Sequence, residues 1–436
     1  MIQGGNKMNY FTKKNEKTVL GEIREEMRKS IRVKRFFTTS GRADSMWAPG
    51  AFDGVMSTHV KGGETSVSCS GLAAASGEKT GAGMSEEDVL ACIISRDFTK
   101  AREGMLGLMP VKGPGALEKV LVKQAEDHPD APENEAIRLF AKQCLIKGSD
   151  EDEVKTGLVL IRMFPGPDME TKEAVMDLAL YDEMTKLAIQ AIILAWKKDE
   201  INEALFEVAR HTYGWGRIET VGYIKPETEE IRDWFLFEGY KNDIMDDYTI
   251  IDAAEKSGLA ERLEGKITEK EYCAAGEIIS RLLTADGPIM DPIGWVSDRD
   301  GHSCGRKLLL NFLRKSEEAI ASDDFHVSEM DIRRYVITIF CSGGRWEDIK
   351  QAASHLVTTE DGIRYVLRNP DDLWCREVID EFGLPLPEEK TAEDEDDDDD
   401  FELLGLEDGT DEEEVKAIIE KIRAANKTED EEVGEK

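Results

Sequence analysis

DEINEALFEVARHTYGWGRIETVGYIKPETEEIRDWFLFEGYKNDIMDDYTIIDAAEKSG, residues 199–258, decides the fold because it punctuates itself into four short helices. Asp199 is placed to cap a helix in which Ile201, Leu205, Val208 and Ala209 recur at helical spacing, and Gly214 stops it. A short helix carrying Ile218, Val221 and Ile224 follows. Pro226 is tolerated in a first helical turn, where the acids Glu227, Glu229 and Glu230 suit the positive end of the helix dipole. Ile231, Trp234 and Phe235 make the apolar stripe of that third helix, and Gly239 ends it. The fourth runs from about Asp243 to Ser257 and stops at Gly258. Helices of this length on short connections pack as hairpins, and stacked hairpins build an extended array.

Outward from this stretch the same pattern covers residues 85–387. Ser85 and Asp88 form a capping box ahead of EEDVLACIISRDF. Helical spacing predicts further helices near 116–127, 133–147, 151–163 and 170–198, the last split around Tyr181 and Asp182. Beyond Gly258 they recur near 267–285, 304–321, 328–341, 346–356, 360–368 and 371–382. Between Glu103 and Gly115 the glycine-rich run EGMLGLMPVKGPG, with one lysine at Lys112, lacks the spacing of a phosphate loop and reads as a connection. No alternation of strands with helices appears, so the expected class is all-α.

A degenerate repeat runs through the array. IRLF (137–140), IRMF (161–164), IRDWFL (231–236), IRRYVI (332–337) and IRYVL (363–367) each place isoleucine and arginine before aromatic or aliphatic residues, and acids precede four of them. GRIETVGYIKPETEEIRDWFL and WEDIKQAASHLVTTEDGIRYVL share the order short helix, turn, isoleucine–arginine helix. This periodicity resembles HEAT or armadillo-type repeats, which implies an α-solenoid of irregular helical hairpins. Residues 199–258 also resemble a group of uncharacterised bacterial helical-repeat proteins with an HGWG-type turn, here His211 to Arg217 with Thr212 and Tyr213 interposed. Some of that group carry the label limonene hydroxylase, which implies haem or flavin. Cys304 lacks a haem-thiolate loop and no GxGxxG follows a strand, so no cofactor is expected.

Charge divides the chain more sharply than hydrophobicity does. Of the formal net charge of -35, the segment from Glu388 onward supplies 23 acids against 6 bases, while Met1 to Arg42 carries 11 bases against 4 acids. Residues 1–37 read as a basic N-terminal helix region with Val19, Ile23, Met27 and Ile31 on one face, either a cap on the array or a surface-binding element. Residues 38–84, rich in glycine, serine and alanine, read as a linker or loop. Residues 388–436 read as an acidic tail, largely disordered, whose run Glu393 to Asp400 lacks the glycine turn and spaced ligands of a calcium loop. Within it, 411–425 reads as a short amphipathic docking helix with Val415, Ile418, Ile419 and Ile422 on one face, set against a reading as a solubilising tail with a transient helix.

The seven cysteines are widely spaced and form no metal-ligand pattern, so neither a metal site nor a disulfide framework is expected. No apolar run is long enough to span a membrane, and the expected location is cytoplasmic. Phosphate backbones are repelled by a chain this acidic, which argues against nucleic acid as a partner. GHSCG (301–305) matches the GxSxG nucleophile elbow, which makes Ser303 the catalytic candidate for a hydrolase. The preceding SDRD is polar rather than a buried strand, and a capping role for Ser303 or His302 accounts for the same residues. His211, Trp215, Arg217, Arg232 and Trp234 gather around one interhelical turn and are the candidate binding residues, set against a reading in which the tryptophans are core and the arginines pair with Glu219, Glu229 or Glu230. The leading expectation is a non-enzymatic scaffold for a protein or peptide partner, basic where the acidic tail steers it, with the tail also able to block the binding face. A hydrolase using Ser303 and an acidic chaperone of basic proteins are the alternatives.

Overall fold

The computed structural model describes residues 18–29, 84–112, 117–128, 131–242, 246–284, 291–298, 300–322, 324–342 and 346–385. Among them the chain is helical, with no strand beyond one antiparallel bridge, Ser297 to Ser303. No described helix is long and apolar enough to cross a membrane. The acidic tail, with Val415, Ile418, Ile419 and Ile422, and the segment 38–83 lie outside the described residues.

The isoleucine–arginine pieces acquire a physical meaning. Ile137, Ile161, Ile231, Ile332 and Ile363 are all buried. Four of the arginines that follow meet an acid three or four residues back: Arg138 with Glu135, Arg232 with Glu229, Arg333 with Glu329 and Arg364 with Glu360. Arg162 instead pairs with Glu118, far away in sequence. In those four copies the motif sets an apolar anchor into the core beside a cation that meets an acid on its own helix or at its start.

Contacts gather the chain into two compact units, Met1–Lys225 with Asn242–Ile244, and Pro226–Lys241 with Met245–Lys436. The division falls inside the stretch that sets the helical pattern. In the first unit come α1 (Val19–Lys29), α2 (Glu86–Ile94), α3 (Phe98–Lys112), α4 (Glu118–Asp127), α5 (Glu133–Lys147) and α6 (Glu151–Ile161). They are followed by α7 (Met169–Ala179), α8 (Asp182–Ala195), α9 (Lys198–His211) and α10 (Gly214–Val221). Neighbours α5 and α6, α7 and α8, and α9 and α10 pack in pairs, while α5 also packs on α7, α6 on α8 and α8 on α10. The caps behave as sequence chemistry requires: Ser85 and Asp88 close the capping box on α2, Asp150 caps α6 and Asp168 caps α7.

Two local expectations change here. The glycine-rich run expected to be a connection is most of α3, because Gly104 lets that helix lie close on α2. A Cβ at Gly104 would stand 2.7 Å from a Val89 methyl. The helix after Thr212 begins at Gly214, which takes φ 61 as its first residue instead of merely stopping α9, whose own cap is Lys197 rather than Asp199.

The second unit contains α11 (Glu229–Trp234) running into a π-helical turn (Phe235–Gly239), α12 (Ile250–Lys256), α13 (Leu259–Arg262) and α14 (Glu269–Thr284). Then follow a 3-10 turn (Pro292–Trp295), α15 (Gly305–Ile320), α16 (Glu329–Ser342), α17 (Glu347–Val357), α18 (Glu360–Arg368) and α19 (Leu373–Phe382). α11 starts after Pro226 because the Thr228 hydroxyl accepts from Ile231 N and supplies the cap that proline cannot. Its core is knit around Tyr272, which stacks on Phe312 at 4.8 Å, meets Phe325 and Tyr335 edge-on, and shares a 2.7 Å hydrogen bond with the buried Ser316 hydroxyl. Here α14 packs on α16, and α15 on α17.

Candidate interaction surface

The residues expected around the interhelical turn fall in different units. In the first, His211 is exposed at the end of α9 with Nδ1 3.2 Å from Glu207. Arg217 is buried, donating from Nε to Thr212 O at 2.8 Å with its guanidinium over the Tyr213 ring. The Trp215 side chain lies outside the described residues. In the second, Arg232 pairs with Glu229 at 2.7 Å and donates to Pro226 O, and half-buried Trp234 sits edge-on to Phe235.

In the loop between α14 and α15 sequence reasoning singled out Ser303 and His302 but not Trp295. Pro292 and Ile293 are buried, and so are Val296 and Cys304. Cys304 N donates to Val296 O at 2.9 Å, and Asp298 N to His302 O at 2.9 Å, which closes a small hairpin around the Ser297 to Ser303 bridge. Gly301, at φ 78, makes the return turn. Asp298 Oδ1 accepts from both Asp300 N and His302 N, and Ser297 N donates to Glu255 Oε1 on α12 at 2.8 Å. Those backbone donors, His302 N first, hold the Asp298 carboxyl below its ordinary range. The hairpin is thus fixed at its base and at its tip.

What it displays is a tryptophan: Trp295 is 67% exposed. On the hairpin that follows, Asp300 and His302 are exposed, and Asp298 partly so. Asp298, Asp300 and His302 each bring one ligand atom within 4.8 Å of the others, a donor set of two carboxylates and an imidazole that suits a divalent cation. Ser303 Oγ contacts Gly294 O at 3.4 Å, and α15 has no side-chain cap, so neither Ser303 nor His302 fills the capping role. His302 turns its Nδ1 toward Asp298 at 3.6 Å. The bridge places Ser303 on a polar hairpin rather than on the strand-to-helix elbow that its motif requires. The neighbouring Cys304 thiol is pushed up to about 11, first by burial and then by nearby acids, which keeps it protonated. The composition of GPIMDPIGW announces a loop, but neither the exposure of Trp295 nor the backbone-locked turn that follows it.

The chain matches no family model, and no curated protein or solved structure resembles it at a significant level.

Proposed function

We propose that the chain is a protein-binding scaffold, an α-solenoid of irregular HEAT- or armadillo-like hairpins, that receives a basic segment of a partner at the Trp295 hairpin. The observation that supports this most directly is the exposure of Trp295 on a loop held by backbone hydrogen bonds at both ends. A large aromatic ring presented without loss of chain entropy is the side chain that anchors interfaces. Its face attracts an arginine or lysine, and the carboxylates of Asp298 and Asp300 on the following hairpin add negative charge that favours a basic segment. The net charge of -35 draws basic partners over distance and weakens as salt rises. In this reading the tail from Glu388 adds to that field, and its amphipathic segment 411–425, expected from sequence to be helical, competes for a binding face when no partner is present. The scaffold works in the cytoplasm and binds rather than turns over its partner.

The test is affinity capture with the full chain, the Trp295→Ala variant and residues 1–387, at low and moderate salt. A basic protein retained by the wild type and lost with Trp295→Ala supports the reading. Equal retention by both rejects it. Loss only on removing 388–436 would make the tail the binding element.

A further inference from the structure

We infer that Asp298, Asp300 and His302 form a binding site for one divalent cation of the zinc class, held by two carboxylates and an imidazole with water completing its coordination. The three alternate along the chain at i, i+2 and i+4, and each brings one ligand atom within 4.8 Å of the other two. One oxygen orders the set. Asp298 Oδ1 accepts from Asp300 N at 3.0 Å and from His302 N at 2.9 Å, so the first donor holds the backbones of the other two. Gly301, at φ 78, supplies the turn between them in a conformation that other residues resist. Binding a cation therefore orders only two side chains, those of Asp300 and His302, on a backbone already in place.

Those side chains have donor atoms to give. Among the described residues, Asp298 Oδ2 accepts no hydrogen bond and the Asp300 carboxylate makes neither a hydrogen bond nor an ion pair. His302 Nδ1 stands 3.6 Å from the Asp298 carboxylate, too far for a hydrogen bond. That spacing is close to the roughly 3.3 Å between two ligands of a tetrahedral zinc, each about 2.0 Å from the metal. Carboxylate and imidazole thus approach as co-ligands do, without bonding to one another. Asp300 and His302 are exposed, and rotation of either closes the remaining gap.

The imidazole decides the class of cation. Carboxylates alone suit magnesium or calcium, whereas a nitrogen donor favours zinc and its neighbours in the transition series. It also separates this cluster from the acidic run Glu393 to Asp400, which offers oxygen only. The backbone donors that hold the Asp298 carboxyl below its ordinary range keep it ionised, so a cation displaces no proton from it. No partner enters this argument, so the cation site and the capture of a basic segment at Trp295 fail separately.

The experiment is a calorimetric titration of the full chain with zinc in excess magnesium, which occupies the oxygen-only tail. Wild type is expected to take one zinc at this hairpin, and Trp295→Ala to bind it equally. Asp300→Asn and His302→Ala, both at exposed positions, are each expected to weaken that binding at least about tenfold. Asp298 is left intact because its carboxylate holds the hairpin. The His302 ring resonance, assigned by its loss in His302→Ala, is expected to shift on adding one equivalent of zinc. Binding unchanged by His302→Ala or by Asp300→Asn, zinc displaced by the magnesium, or a His302 resonance indifferent to zinc would overturn the inference.

Discussion

Arg102 on α3 grips Glu153 on α6 through two parallel hydrogen bonds, Nε to Oε1 at 2.6 Å and Nη2 to Oε2 at 2.9 Å, and the carboxylate is fully buried. Ser149 completes the cluster, its hydroxyl accepting from Arg102 Nη2 and its N–H donating to Glu153 Oε2. A bidentate pair out of water contributes little compared with apolar packing, but losing one partner strands the other. Arg102→Ala is therefore expected to destabilise the protein by about 3 to 5 kcal/mol in urea unfolding. Replacing Arg102 and Glu153 together by leucine and methionine should cost much less than the single change. If the two cost the same, the charges are not the reason for the loss.

Gly276 on α14 and Tyr335 on α16 make a second close relationship. A Cβ at Gly276 would stand 2.5 Å from the Tyr335 ring, which is itself buried and hydrogen-bonded through its hydroxyl to Cys273 O and Glu277. Gly276→Ala removes a helix penalty of about 1 kcal/mol yet forces the ring from its seat at a typical cost of about 1 to 3 kcal/mol. The expected result is net destabilisation, relieved when Tyr335 is shortened to leucine in the same chain. A stabilised single variant would show that the seam between α14 and α16 relaxes freely.

Most helices were legible because their ends carry chemistry that acts locally. Glu133–Lys147 and Glu360–Arg368 fall where apolar spacing puts them, and Gly258, at φ 67, ends α12 as a C-cap glycine should. The misreadings came from tertiary packing. Nothing in EGMLGLMPVKGPG announces that its first glycine faces Val89, so a sequence rule that treats glycine as a breaker loses α3. The binding candidates followed from residue type and nearness in sequence, which do not report burial: Arg217 is buried, donating to Thr212 O with its guanidinium over the Tyr213 ring. Trp295 escaped notice because exposure depends on the hairpin that lifts it, and that hairpin is closed by backbone groups common to every sequence.

Ser303→Ala separates the hydrolase motif from the hairpin. The hydroxyl is exposed and touches only Gly294 O, at the long distance of 3.4 Å, among the contacts described. Its removal should change thermal stability by no more than about 0.5 kcal/mol and leave partner capture unchanged. A variant that folds normally but loses an ester-cleaving activity present in the wild type would return the enzyme reading to first place.

Asp168 links a helix cap to acid stability. Its Oδ1 accepts from Thr171 N at 2.9 Å and from the Thr171 hydroxyl at 2.8 Å, and its Oδ2 meets Lys142 Nζ at 2.8 Å. Partial burial works to raise the carboxyl, but the Lys142 ammonium and the Thr171 donors outweigh it and bring it from 3.8 down to about 2. Between those values the unfolded chain binds a proton that the folded chain does not. The contribution is therefore fully present above about pH 4 and is lost as pH falls toward 2. Asp168→Ala should cost about 1 kcal/mol near neutrality through the lost cap, whereas Asp168→Asn keeps a capping oxygen and loses only the charge. Urea midpoints of wild type and Asp168→Asn measured from pH 6 down to pH 2 should differ at the upper end and converge at the lower. A gap that stays constant across that range would mean that the carboxylate contributes by its shape and hydrogen bonds alone, with no proton linked to folding at this position.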